Sequence, residues 1–330
     1  MGRLSPLIKR RAFLILLIAW LAVVMSASAA SVPTFSLSGT TYVRLDDWAK
    51  PRNFKVQWTI PKEQVKLTST WSTWIFNVDS RKCTLNGVNV WLSHPVALRS
   101  TSASVSFKDL ATALQPIYSP PKSPAGKKVS LICLDPGHGG RDPGKQQRSE
   151  AEKKHTLLLA KEINSLLSKA GFKVLLTRSR DTYVELSERA AIAARKKADL
   201  FVSLHFNSAD SSVRGAEVYC MTPAYASSTN ARGEGAEHGS YPGNQFDSKN
   251  MLLAYQIQKA MTTKLGMEDR GVKRARLAVL RSAQMPAVLV EGGFMSNSSE
   301  ARKIYDSIWR RELARAIVDG ILAYKKIIES

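Results

Sequence analysis

A chain of 330 residues, 44% of them hydrophobic, is long enough for about two domains and can bury a substantial core. Its three cysteines, Cys83, Cys133 and Cys220, are too few for a disulfide framework. Its formal net charge of +21 points to polyanionic partners.

Lys9, Arg10 and Arg11 precede an apolar run from Phe13 to Met25, followed by Ser-Ala-Ser-Ala-Ala. A basic region, a short apolar region and a small-residue cleavage site make residues 1–30 a secretory signal peptide. The apolar run is short for a membrane-spanning helix, and no stable insertion is expected after cleavage. Arg10-Arg11-Ala12-Phe13-Leu14 also resembles a twin-arginine export signal, and an ordinary signal with two arginines fits equally well. Removing residues 1–30 takes away Arg3, Lys9, Arg10 and Arg11 and leaves +17. For an exported protein an anionic cell envelope is the more natural partner, and nucleic acid is disfavoured.

Residues 31–118 read as short strands and turns and hold five of the seven tryptophans. Tyr42–Trp48 and Ser104–Leu110 each read as a strand running into a short helix. Between them lie β-type runs at Phe54–Ile60, Val65–Thr70, Thr73–Val78 and Asn89–Leu92, with a turn at Asn86-Gly87. The layout resembles the small α+β domain at the N-terminus of copper amine oxidases and beside many exported wall enzymes. Its tryptophans either form a glycan-stacking face or fill the core of a small domain, the commoner use. The segment lacks a convergent set of histidines and carboxylates, so an accessory role such as wall binding is expected. Proline and lysine then make residues 119–128 an extended linker.

From Val129 onward the period changes. Strands are expected at Val129–Leu134, Phe172–Thr177, Asp199–His205 and Ala216–Met221, with extended runs at Ala275–Arg281 and Ala287–Glu291. Helices are expected at Glu152–Ala170, Val184–Lys197, Asn250–Leu265 and Ser299–Ile328, the last interrupted near Ser307. Residues 222–248 read as a polar loop forming a flexible lid or rim. This alternation gives an α/β domain over residues 129–330: a mainly parallel twisted sheet with helices on both faces. Cys133 and Cys220 sit in apolar runs and read as buried small hydrophobes.

Three apolar strands lead to groups that bind metal or move protons: His138 on a glycine-rich turn, His205, and Glu291. In a parallel sheet all three converge on the edge where ligands collect. Two histidines and a carboxylate suit zinc, which acidifies water and polarises a carbonyl. A third ligand is needed, and either Glu150 or Glu152 at the start of the following helix can reach back. Both carboxylates also simply favour a helix N-terminus.

Leu-Asp-Pro-Gly-His-Gly-Gly-Arg-Asp-Pro-Gly, Glu-Lys-Lys-His-Thr-Leu, Val-Leu-Leu-Thr-Arg, Ala-Asp-Leu-Phe-Val-Ser-Leu-His-Phe-Asn, Arg-Gly-Ala-Glu-Val-Tyr and Met-Pro-Ala-Val-Leu-Val-Glu-Gly-Gly-Phe-Met-Ser-Asn follow one another in order. This set resembles the zinc-dependent N-acetylmuramoyl-L-alanine amidases of bacterial cell walls, from about Val129 to the C-terminus. The resemblance implies hydrolysis of the amide between the muramic acid lactyl group and L-alanine of peptidoglycan, in the periplasm or cell envelope. It implies His138, Glu152 and His205 as zinc (Zn2+) ligands and Glu291 as the catalytic glutamate. Glu152 is preferred because it begins the Glu-Lys-Lys-His-Thr-Leu run.

Arg178, Arg189 and Arg281 lie in matching motifs and suit either substrate carboxylates or ion pairs with Asp181, Glu185 or Glu188. Asn207 is placed to orient His205 or touch substrate, and His238 reads as an exposed loop residue. Two other readings compete: a zinc peptidase cutting within the stem peptide, and a wall-binding protein without catalysis. The four site residues together argue against the last.

Overall fold

A computed structural model describes residues 32–229 and 239–330. The segment expected to be a signal peptide and His238 both lie outside the described residues. In the first third the short β-type runs become nine strands: β1 (Thr34–Leu37), β2 (Thr40–Arg44), β3 (Lys55–Ile60), β4 (Gln64–Thr68), β5 (Thr73–Asn77), β6 (Lys82–Leu85), β7 (Val88–Trp91), β8 (Ala97–Arg99) and β9 (Ser102–Ser106). Asn86 and Gly87 take φ of +50° and +82°, the left-handed pair that a two-residue hairpin between β6 and β7 requires. Strands β2 and β9 each run into a short helix, as expected. Trp48 and Trp74 are fully buried and stack with centroids 5.1 Å apart, so they fill the core, whereas Trp71 is 90% exposed.

In the remainder, strands β10 (Leu131–Pro136), β11 (Gln146–Gln147), β12 (Glu150–Ala151), β13 (Lys173–Leu176), β14 (Leu200–Asn207), β15 (Ala216–Met221), β16 (Asp269–Ala275) and β17 (Ala287–Phe294) alternate with helices. The long helices are α1 (Glu152–Lys169), α2 (Leu186–Arg195), α3 (Asp247–Leu265), α4 (Ser298–Tyr305) and α5 (Ser307–Glu329). The expected break near Ser307 falls at Asp306, whose side chain caps α5 by accepting from the Trp309 N–H. Strands β13, β10, β14 and β17 are parallel neighbours, β15 is antiparallel to β17, and β16 is parallel to β15. Helix α1 packs on β10 and β14, and α3 and α5 lie against each other. Gly320 of α5 permits that contact, since a Cβ there would meet the Ile257 Cα at 2.5 Å. On the other face, Cys133, Phe201, Met221 and Leu289 pack with Ala193 of α2 and Val279 of a short helix, Ala278–Arg281. All three cysteines are free and buried.

One expectation is corrected. Ala278–Arg281 is helical rather than extended, and the strand lies just before it, at Asp269–Ala275. The sequence Asp-Arg-Gly-Val-Lys-Arg-Ala lacks an apolar run, and pairing on both sides, with β15 and β7, makes it a strand. Residues 222–229 of the expected lid or rim leave β15 at the end away from Glu217, and residues 230–238 lie outside the described residues.

Strands β16 and β7 pair in parallel through Val272 and Val90 and join the two parts of the chain into one sheet of eleven strands. Its order is β13-β10-β14-β17-β15-β16-β7-β6-β5-β4-β3. Around this junction Asn89 N–H donates to Asp269 Oδ2 (2.7 Å), Trp91 Nε1 to the Arg270 carbonyl (2.9 Å) and the Tyr255 hydroxyl to the Leu85 carbonyl (3.0 Å). Residues 119–128 run over the end of α5, where Ser123 N–H donates to the Ile328 carbonyl at 2.7 Å. Because the junction buries Val90 and Val272 completely, a chain beginning at Ser119 is expected to melt about 10 °C or more below the full chain, read by circular dichroism. An unchanged midpoint would show that the shared sheet contributes no stability.

Candidate metal centre

The apolar strand β10 ends at Pro136, and the chain turns through Gly137, His138 and Gly139. His138 sits in the left-handed region at φ +60°, a strained conformation for a side chain of this size. Two buried arginines hold it there. Arg178 donates to the carbonyls of Pro136 (2.9 Å), Gly137 (2.8 Å) and Lys153 (2.8 Å). Arg189 donates to the carbonyls of Pro136 and His138, each at 3.0 Å, and pairs with fully buried Asp135 at 3.0 Å. These arginines therefore build the loop, and the ion-pair partner is Asp135 rather than Asp181, Glu185 or Glu188. Arg281 instead lies over the Tyr241 ring at 5.5 Å.

Glu152 is the first residue of α1 and is buried, 5% exposed. Its Oε2 lies 3.1 Å from His138 Nε2 and accepts from the Lys145 N–H at 3.0 Å. Its Oε1 lies 2.9 Å from His205 Nδ1 and accepts from the Phe206 N–H at 3.1 Å. His138 Nδ1 is engaged by Asp142 at 2.8 Å, which turns Nε2 toward Glu152. The two rings meet edge to face with centroids 4.9 Å apart. Glycine is required at 137, since a Cβ there would lie 2.2 Å from the His205 ring.

Burial alone raises the pKa of Glu152; hydrogen bonds from His138 and His205 outweigh it and hold the carboxyl below the usual range. Burial lowers His138, and its bonds to Glu152 and Asp142 outweigh that and raise it. Glu291 lies directly across from His205 in the β14–β17 register. Burial, then the charges of Glu152 and Glu217, push it well above the usual carboxylate range, with Lys273 pulling the other way. Its Oε2 is enclosed and has no hydrogen-bond partner among the described residues.

The donor set fits a divalent ion. One atom from each of His138, Glu152 and His205 lies within 4.8 Å of the others. The N–O separations of 3.1 and 2.9 Å, each to a different oxygen of Glu152, bring both imidazoles to one carboxylate, a donor set of the types zinc accepts. Glu150 is elsewhere: it pairs with Lys154 and, at 2.7 Å, with buried His155, securing the β11–β12 hairpin that delivers Glu152. Beside the cluster lies a cavity of about 260 Å³ with an apolar wall of Leu186, Leu277, Ala278 and Leu289.

Sequence reasoning missed Glu217. It is 2% exposed, faces Glu291 across β15–β17, and takes Arg270 Nε at 3.1 Å, the Tyr219 hydroxyl at 3.1 Å, Lys273 Nζ and Asn207 Nδ2. Asn207 thus bonds to Glu217. The available signal was a lone carboxylate inside the apolar run Ala216–Met221.

A three-residue metal-type cluster at the C-terminal edge of parallel strands, with a further carboxylate beside it, defines a hydrolase-type α/β domain. The chain belongs to the N-acetylmuramoyl-L-alanine amidase family, whose profile matches residues 132–323. Residues 24–116 match the profile of the copper amine oxidase N-terminal domain. The chain is 38% identical to N-acetylmuramoyl-L-alanine amidase LytC of Bacillus subtilis over 194 residues, 58% of this chain and 35% of LytC. It is 31% identical to N-acetylmuramoyl-L-alanine amidase AmiA of Escherichia coli over 231 residues, 63% of this chain and 80% of AmiA. A solved N-acetylmuramoyl-L-alanine amidase from Clostridium difficile 630 is similar at a TM-score of 0.51 and 30% identity, covering 60% of this chain and 97% of that one. This chain therefore spans about a third of LytC's length and most of the C. difficile structure.

Gly137→Ala drives a methyl group into the His205 ring. Bound zinc after dialysis, measured by atomic emission, is expected to fall by about tenfold or more in affinity, as for other disturbed ligand orientations. Retained affinity would separate His205 from the metal.

Proposed function

We propose that this chain is a zinc-dependent amidase that cleaves the bond between N-acetylmuramic acid and L-alanine in peptidoglycan, in the periplasm or cell envelope after export by residues 1–30. The observation that carries it is the His138–Glu152–His205 cluster with Glu291 alongside, inside a chain of this family. In this reading residues 129–330 are catalytic, residues 31–118 are an accessory domain and residues 119–128 link them. Zinc supplies a Lewis acid that acidifies water to about neutrality and polarises the attacked carbonyl. His138, Glu152 and His205 hold it. Glu291, enclosed and without a partner at Oε2, takes the proton of the attacking water and passes it to the departing L-alanine nitrogen. The apolar wall of Leu277, Ala278 and Leu289 borders the space next to His138 and His205 where substrate would lie. Cell-wall remodelling or degradation is the biological outcome.

Among the described residues no helix is long and apolar enough to cross a membrane. A zinc peptidase within the stem peptide would use the same cluster and differ in its products. Digestion of purified sacculi, with the released ends identified by mass spectrometry, distinguishes them: a free muramic lactyl group is expected, and stem-peptide fragments alone would replace the amidase by the peptidase.

Chelation is expected to abolish turnover and zinc to restore it; full activity of metal-free protein would remove zinc from the reaction. Glu291→Gln keeps the size of the side chain and is expected to retain zinc while turnover falls by roughly two to four orders of magnitude. Glu152→Ala removes a ligand and is expected to lose zinc itself. Metal content and turnover after dialysis report both; the reverse pattern would exchange the two roles.

A further inference from the structure

The pairing register carries the catalytic face of the sheet far beyond the metal cluster. Glu291 pairs with Glu217 across β17–β15, and Tyr219, two residues along β15 on the same face, pairs with Lys273 of β16. Lys273 Nζ lies 5.9 Å from the rings of both Tyr219 and Trp91, which bridges the step to β7. Trp91 pairs with Lys82 of β6. The β5–β6 register sets Asn77 beside Lys82, and Asn77 pairs with Gln64 of β4, two residues from Lys66. Side chains of directly paired residues share a face. Glu291, Tyr219, Lys273, Trp91, Lys82 and Lys66 therefore stand on one side of one sheet.

The opposite side of these N-terminal strands is closed. Val65, Leu67, Trp74, Phe76, Cys83, Leu85, Val88 and Val90 are each 1% exposed or less. The side in line with Glu291 is open: its residues on β4 to β7 are half-buried or exposed. Its polar groups bond within the face, as Gln64 Nε2 to Asn77 Oδ1 at 2.9 Å and Thr84 Oγ1 to Asn89 Oδ1 at 3.1 Å. The face positions on β4 to β7 hold lysines, amides, hydroxyls, Ile75 and Trp91, and no carboxylate. Among the described residues neither Lys66 nor Lys82 forms a salt bridge, although the Lys82 charge reaches the carboxyl of Asp269 on β16. Strand spacing puts β6 about 19 Å and β4 about 29 Å from β17, a reach longer than a single cleaved bond needs.

We propose that this open face of the N-terminal strands, continuous with Glu291, is an extended subsite that binds the polymeric substrate, with Lys82 and Lys66 receiving free carboxylates of stem peptides next to the one being cut and Trp91 stacking on the strand between them. The proposal rests on the wall-amidase reading above. Charge complementarity selects the occupant: the chain without residues 1–30 carries +17, this face carries lysines outside any salt bridge, and the stem peptides of the polymer are carboxylate-bearing. The N-terminal segment then acts as an arm of the active-site cleft rather than as a separate tethered module.

The test uses the full mature chain with Lys66→Glu and Lys82→Glu together, both at solvent-accessible positions. Binding is measured by cosedimentation with sacculi stripped of covalently attached anionic polymers, in the Glu291→Gln background so that nothing is cleaved. Turnover of a soluble monomeric muropeptide is measured with Glu291 intact. The Kd for stripped sacculi is expected to rise about tenfold with a weaker salt dependence, while muropeptide turnover and melting temperature stay unchanged. An unchanged Kd would overturn the proposal. So would a loss of binding confined to unstripped sacculi, which would assign the face to the accessory polymer. If the double charge reversal fails to fold, Lys66→Gln with Lys82→Gln replaces it, with a smaller rise of about threefold expected and no change counting against the idea. Wild-type protein that leaves muropeptide and sacculi uncut would overturn the amidase reading alone, because the binding arm does not depend on cleavage.

Discussion

One buried carboxylate ties the site together. Glu152 offers two oxygens, and two histidine nitrogens and two backbone N–H groups converge on them from β14, the glycine loop and the turn before α1. A buried carboxylate without such partners would cost several kcal/mol, so the three segments are held at one point by the need to satisfy it. The same convergence leaves a set of donor atoms suited to a divalent ion, whose charge would replace the protons that now bridge them.

The loop that presents His138 depends on a second buried set of charges. Arg178 and Arg189 each donate to two carbonyls of residues 136–138, and Asp135 neutralises Arg189 while accepting from Thr177 and Ser203 hydroxyls at 2.6 and 2.8 Å. Carbonyls turned inward by a left-handed residue would otherwise lack partners. These arginines act on the backbone, and the histidine geometry follows from them.

The third feature is continuity. Pairing of β7 with β16 makes the N-terminal segment part of the sheet that bears Glu291. Trp91 is fixed at that junction by its bond to the Arg270 carbonyl, and Arg270 in turn binds Glu217 beside Glu291. A change at β7 therefore reaches the neighbourhood of Glu291 through two side chains and one backbone group.

The sequence by itself determined the local elements and the chemistry that they end on. Apolar runs marked β10, β14, β15 and β17, Asn86-Gly87 marked its hairpin, and the glycine turn after β10 marked where His138 is presented. The ordered motifs identified the family. Tertiary structure alone decided the rest. Glu150 and Glu152 are two residues apart and chemically equivalent on the page; helix phase and the β11–β12 hairpin turn one to His155 and the other to the two histidines. Arg189 found Asp135 rather than a neighbour on its own helix, and charged β16 became a strand, because in each case the partner lies far away in sequence. Periodicity and propensity report how one segment meets water or core; which distant segment meets it is fixed only when the sheet closes its hydrogen bonds and buried groups such as Asp135 and Glu152 meet their partners.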